Sequence, residues 1–275
     1  MSLTLSSIHV YPVKSLGGFA VEQARTTARG LEHDRRWMLV DFEGRFISQR
    51  EVAAMACLHC APSEGGFSVT DIRTNEAIQL PWSIASGAEK NVRVWTDTVS
   101  TISAAEELSK WFAQRLGIGT QLVFMPDESA RAVDPEYAEG IVSFADGFPY
   151  LIISQASLDD LNKRLSQTIP MDRFRPSLVV AGSGAFQEDE WRNIQIGEVA
   201  FSLVKPCARC VIPNTDQRTG ERSAEPLRTL ATYRKDLSER RIGKVDLGMN
   251  ALSGSAGVIR VGDPITVLRS ASFAQ

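Results

Sequence analysis

Short runs of alternating apolar and polar residues, cut by tight-turn signals about every eight to twelve residues, constrain this chain most strongly. SIHVYPVKS alternates Ile8, Val10 and Val13 with polar neighbours and breaks at LGG. RRWMLVDFEGRFISQRE predicts a hairpin: a strand at Trp37–Val40, a turn at Glu43-Gly44 and a return at Phe46–Ser48. GGFSVTDIRTNEAIQL and NVRVWTDTVST continue the pattern, which excludes regularly alternating β-α units and favours a barrel or sandwich. The later runs SLVVAG, WRNIQIG, VAFSLVKP and AGVIRVGDPITVL read as further strands, the last with a Gly-Asp-Pro turn inside it.

Helical spacing is confined to two stretches. SAAEELSKWFAQRLG sets Leu108, Trp111, Phe112 and Leu116 on one face, with Ser103 and Glu106 at capping-box spacing and Gly117 as terminator. SQASLDDLNKRLSQ follows the strand YLIIS and aligns Leu158, Leu161 and Leu165. The expected fold is mainly β with a few helices (α+β): an N-terminal β-barrel-like domain followed by a second β-barrel domain. The least regular stretch, Met125–Pro149, is long for a structureless loop and so reads as functional or mobile. The domain boundary is placed just before it, giving domains 1–124 and 125–275.

The 275 residues can bury a sizeable core, and 43% hydrophobic with 23% charged residues is an ordinary globular balance. A net charge of −3 offers no general attraction to nucleic acid or anionic membrane. No apolar run is long enough for a membrane span, and MSLTLSSIHVYPVKS lacks the layout of a secretory signal. The expected location is therefore cytoplasmic, where cysteine pairs are metal-binding, redox-active or incidental more often than disulfide-forming.

The four cysteines form two C-x-x-C pairs, Cys57/Cys60 in ACLHCA and Cys207/Cys210 in VKPCARCVIPNTDQRTGE. A zinc site split across 146 intervening residues (207 − 60 − 1) departs from the compact knuckles of structural zinc. A redox dithiol would open a helix, whereas VIPNTDQRTGE reads as strand and loop. Cys210 stands beside Arg209, with Lys205 upstream, and cations lower a thiol's pKa. The residues alone thus leave Cys210 as a thiolate ligand, a nucleophile or a structural cysteine, and Cys57/Cys60 as a buried structural pair.

Eight motifs in order reduce those alternatives: VYPVKSLGG, GLEHDRRWMLVD, GRFISQRE, SFADGFPYLIISQASL, RFRPSLVV, DEWRNIQIGEV, KPCARCVIPNTDQRTGE and IRVGDPITVL. Together, from about Ile8 to Leu268, the chain resembles the MOSC family, and within it the two-domain subfamily of amidoxime-reducing components and bacterial relatives. That resemblance implies a molybdenum cofactor, molybdopterin with Mo, whose metal takes Cys210 as protein ligand. It also implies that Lys14, Ser15, Arg35, Asp146, Arg175, Ser177 and Arg209 line the cofactor's site, with Arg36 and Arg50 as weaker candidates. At the level of the family it carries a pyridoxal phosphate binding association. Asp146 is a catalytic candidate beside Cys210, with water as the other source of the proton. His9, His33 and His59 have no expected role at the site.

The implied activity is reduction of a small-molecule N-oxygenated substrate, such as a hydroxylamine, amidoxime or N-hydroxylated base. The chain ends at LRSASFAQ without further cysteines. The expectation is therefore no appended [2Fe–2S] domain and no N-terminal membrane anchor, with electrons from a separate ferredoxin-, flavoprotein- or cytochrome-type protein. The rival reading is a molybdenum-cofactor carrier or sulfur-transfer protein that holds a cysteine persulfide. A zinc-stapled β-barrel is the third.

Overall fold

The computed structural model describes residues 2–270, so the close of LRSASFAQ beyond Ser270 lies outside the described residues. The chain opens with β1 (Thr4–Val10), β2 (Phe19–Val21), β3 (Gln23–Thr27), β4 (Gly30–Leu31) and β5 (Trp37–Val40). An antiparallel meander follows: β6 (Leu58–Ser63), β7 (Gly66–Asp71) and β8 (Glu76–Pro81). Next come the hairpin β9 (Glu89–Val94) and β10 (Asp97–Ser103), then α1 (Glu106–Leu116) and β11 (Gln121–Phe124). The second half holds β12 (Tyr150–Ser154), α2 (Gln155–Arg164), β13 (Leu178–Ala181), β14 (Trp191–Ile196) and β15 (Val199–Ala208). It closes with α3 (Leu227–Leu230), β16 (Asp246–Ser253), β17 (Gly257–Arg260) and β18 (Ile265–Ser270). The fold is mainly β with few helices.

Sheet order explains how one chain builds its two largest cores. The largest sheet runs β18-β14-β15-β16-β12-β13-β1-β2, and a second runs β5-β11-β10-β9. Strands β17, β3 and β4 form a third sheet, so the Gly-Asp-Pro turn sends β17 and β18 into different sheets. Only β12 and β13 pair in parallel among the described strands, and α2 supplies the crossover that a parallel pair requires. Pairing also passes residue 124: β1 and β2 join β13, and β3 joins β17.

One core packs Leu5, Ile8, Ile152, Leu178, Trp191 and Phe201. The other packs Val13, Leu16, Trp37, Leu39, Phe67, Phe112 and Phe124. Val10 belongs to the first and Val13 to the second, so the segment between β1 and β2 runs from one core into the other. Lys14 and Ser15 sit on that passage. Interfaces between packed units are where ligand clefts preferentially form.

The turn after β5 forms, with Asp41 N donating to Arg45 O and Ile47 N to Leu39 O, both at 2.8 Å. The expected return strand at Phe46–Ser48 is reduced to an isolated bridge between Val40 and Phe46, because β5 takes β11 as its strand partner. Helix α1 buries Phe112 and Leu116 and half-buries Leu108 and Trp111, and Gly117 ends it at φ 68°. Its expected capping box is absent. Ser103 ends β10 instead, paired with Val123, and the N-cap is Ala105 with no side-chain bond. The strand's ladder takes Ser103 before the helix can. Helix α2 does have a side-chain cap, with Ser154 Oγ accepting from Ser157 N at 3.1 Å. Among the described residues no helix is long and apolar enough to cross a membrane.

Candidate functional site

An open cleft with a cavity of about 140 Å³ gathers loops that leave the strands of both cores. Lys14 and Ser15 follow β1, Arg35 follows β4, and Arg50 follows β5. Phe144 to Pro149 precede β12, Phe174 to Ser177 precede β13, and Cys207 to Cys210 run off the end of β15. Five cations line the cleft (Lys14, Arg35, Arg50, Arg175 and Arg209) against a single carboxylate, Asp146. Three lining residues other than glycine hold positive φ: Ser15 at 67°, Arg35 at 48° and Arg175 at 55°. Each such residue stores backbone strain, which clusters at functional sites.

Asp146 is the hub. Its Oδ1 accepts from Lys14 Nζ at 2.6 Å and its Oδ2 from Arg50 Nη2 at 2.9 Å. Lys14 Nζ also donates to Phe144 O at 2.7 Å. Burial pushes the Asp146 carboxyl up, but Lys14 and Arg50 outweigh it and hold the group well below the usual carboxylate range. Burial lowers Lys14, against the pull of Asp146. For Arg50 the charges of Asp146 and Cys210 overcome burial and keep its guanidinium above the ordinary value.

Arg35 pairs with the buried Asp34, which also accepts from Tyr11 N at 2.8 Å. Its other contacts are Arg175 O at 3.2 Å and Ser177 Oγ at 3.4 Å. Arg35 and Arg175 both lie over the Tyr11 ring, 4.4 Å from its centroid. Burial lowers Arg175 to about 10 and pushes Tyr11 up to about 12. Tyr11 gave no signal in the sequence, because a strand-end aromatic reads simply as core.

The cysteine pair differs from expectation in one contact. Arg209 Nη1 lies 3.1 Å from Cys207 Sγ, and Arg50 is a further cation that interacts with Cys210. Arg209 Nη2 donates to Phe174 O at 2.8 Å, while its Nε is buried without a partner. Burial pushes the Cys207 thiol up, with Arg209 opposing. Lys205 does not serve the thiols: it pairs with Asp134 at 3.0 Å and lies over the Tyr137 and Phe148 rings. Register shifts in β15 on both sides of Lys205–Pro206 separate its direction from that of the cysteines.

Lys14, Ser15, Arg35, Asp146, Arg175, Ser177, Arg209 and Cys210 all line this one cleft, and so does Arg50. Arg36 does not. It donates to Met125 O at 3.0 Å and pairs with Asp127 in a different depression. Cys57 and Cys60 are buried elsewhere, and burial raises Cys60 to about 12. Among the described residues no group of three or more His, Cys, Asp or Glu side chains could hold a metal, so the four cysteines do not converge as a zinc staple. Arg131 and Asn250 were missed. Asn250 lines the cleft from β16. Arg131 is buried and ties the irregular stretch together, donating to Ser143 O at 3.2 Å and Asp146 O at 2.6 Å.

Comparison with known proteins accords with this layout. The family model for the MOSC N-terminal beta barrel domain matches residues 2–119, and that for the MOSC domain matches residues 139–266. Mitochondrial amidoxime-reducing component 1 of Mus musculus is 30% identical over 279 residues, covering 96% of this chain and 82% of its own. Mitochondrial amidoxime reducing component 2 of Homo sapiens is 31% identical over 278 residues, covering 95% and 82%. Molybdenum cofactor sulfurase of Oryza sativa subsp. japonica is 31% identical over 268 residues, covering 89% of this chain and 32% of the relative. The chain belongs to the MOSC family, as a two-domain member with the MOSC N-terminal beta barrel domain ahead of the MOSC domain.

Proposed function

We propose that this protein is a molybdenum-cofactor-dependent oxidoreductase that reduces N-oxygenated compounds with electrons from a separate redox protein. The observation that carries the reading is the cleft itself: five cations against one carboxylate, with a thiol at its wall and one buried guanidinium nitrogen, Arg209 Nε, left without a partner. That donor set suits an anionic, phosphate-bearing pterin whose soft metal takes a thiolate. Relatives named for amidoxime reduction support the substrate class.

When bound, the cofactor supplies two-electron chemistry at an N–O bond. The protein's part is to bind and orient it. Cys210 would be the metal's thiolate ligand. Arg35, Arg175 and Arg209 offer fixed guanidinium groups to phosphate and pterin, with Ser15 and Ser177 as hydroxyl partners. Lys14 and Arg50 keep Asp146 ionised, so Asp146 serves as an anchor for those cations rather than as a group with a proton to give.

The test is protein made in a molybdopterin-competent host. Expected are near-stoichiometric molybdenum and pterin, with turnover of an amidoxime by reduced methyl viologen. Loaded wild-type protein without turnover would sink the reductase reading. Cys210→Ser with full activity would remove the ligand assignment. A persulfide carrier is the second reading, favoured by the contact of Arg209 with Cys207 Sγ and by the sulfurase relative. A mass increase of one sulfur on Cys207 or Cys210, without tightly held molybdenum, would select it.

A further inference from the structure

We propose that Trp95 is the stacking surface beside the cleft that selects conjugated, planar N-hydroxylated substrates over aliphatic ones; this rests on the reductase reading above. Trp95 and Thr96 are the two central residues of the β9–β10 hairpin, whose flanking pair is Val94 with Asp97. Trp95 has φ 58°, and Thr96 is not among the residues with positive φ. A two-residue turn that needs positive φ only at its first position ordinarily places glycine there. A bulky aromatic in that conformation is strained.

Packing does not account for the strain, because Trp95 remains 44% exposed. What holds the indole is the site. Arg50 Cζ lies 4.6 Å from its ring centroid, and the same guanidinium reaches Asp146 Oδ2 at 2.9 Å and faces Cys210. Phe46 meets the indole edge-on at 4.9 Å, and Lys14 Nζ lies 5.2 Å from the Phe46 ring. The other side of the turn is fastened too. Asp97 Oδ2 accepts from Arg131 Nε at 2.6 Å, and Arg131 Nη2 donates to Asp146 O. The hairpin tip is thus tied twice to Asp146 while 44% of Trp95 stays open to solvent. Such a surface gains most from a second π system, since offset stacking rewards planar conjugated partners and returns little for a methyl group.

Benzamidoxime and acetamidoxime make a matched pair, sharing the reacting group and differing in phenyl against methyl. With cofactor-loaded protein and reduced methyl viologen, Trp95→Ala should raise the KM for benzamidoxime about tenfold at nearly constant kcat. It should leave acetamidoxime within about twofold, and Trp95→Phe should restore most of the benzamidoxime KM. In parallel, benzamidoxime should saturably quench tryptophan emission of the wild type, and Trp95→Phe should abolish most of that quench. Equal losses for both substrates would overturn the proposal and make Trp95 a positioning residue for Arg50. Quenching that is unchanged in Trp95→Phe would overturn it as well. If the wild type turns over neither amidoxime, the reductase reading fails, and the emission titration still decides whether Trp95 stacks the ligand.

Discussion

Asp146 shows how much a single residue depends on its partners. Its sequence context, FADGFP, looks like a turn, yet its carboxylate joins buried Lys14, on the passage between the two cores, to Arg50 after β5. Replacing it with asparagine leaves the Lys14 ammonium buried without a counter-ion. Breaking a buried pair costs about 3–5 kcal/mol, and the half-exposed position of Asp146 scales this to about 1–2 kcal/mol. The pH dependence has a definite sign. The folded-state pKa is depressed, so the stabilisation is present above the unfolded value of 3.8 and is lost as pH falls below it. Urea melts of wild type and Asp146→Asn should therefore differ in full at pH 7, with the difference starting to shrink only below the unfolded value of 3.8.

At the scale of an element, the start of α2 is held by a buried carboxyl from the segment between β13 and β14. Glu188 is fully buried, accepts from Ser154 N at 3.0 Å and Ser157 Oγ at 2.7 Å, and leaves Oε2 without a partner. Burial raises its pKa above the ordinary 4.5. The folded state then binds the proton more tightly than the unfolded chain. Its contribution is whole below pH 4.5 and is lost as pH rises through the folded value. Glu188→Gln should flatten that part of the profile, with the Tm difference between variant and wild type growing in the variant's favour from pH 4 to pH 7. Equal slopes over that range would refute the assignment. Helix α1 teaches a complementary lesson. Its apolar face and Gly117 stop were legible from spacing, whereas its Ser103 cap was lost because the neighbouring strand needed that residue.

Across the whole molecule, the segment Tyr11–Gly18 joins two cores and carries the first residues of the site. Gly17 N donates to Leu58 O at 2.9 Å and Cys60 N to Gly17 O at 3.1 Å, fixing it to the meander. A Cβ on Gly18 would lie 2.4 Å from both Val10 O and the Tyr11 ring, contacts that only glycine allows. Gly18→Ala should destabilise the protein by about 1–3 kcal/mol, read as a lower midpoint in chemical denaturation. It should also weaken cofactor retention, because Lys14 and Ser15 share the segment. Strand periodicity, turn residues and helical spacing were enough to specify a mainly β chain, since those signals depend only on near neighbours. The ordered motifs also singled out the cations and Cys210 of the cleft. Pairings between distant strands were not legible: nothing local in β1 names β13 as its partner, or sends β17 and β18 to different sheets. Nor could adjacency reveal that Arg209 turns to Cys207 while Arg50, 160 positions before Cys210, faces that sulfur. A side chain's direction follows from bulges, strained φ angles and long-range ladders, and only the tertiary structure decided those.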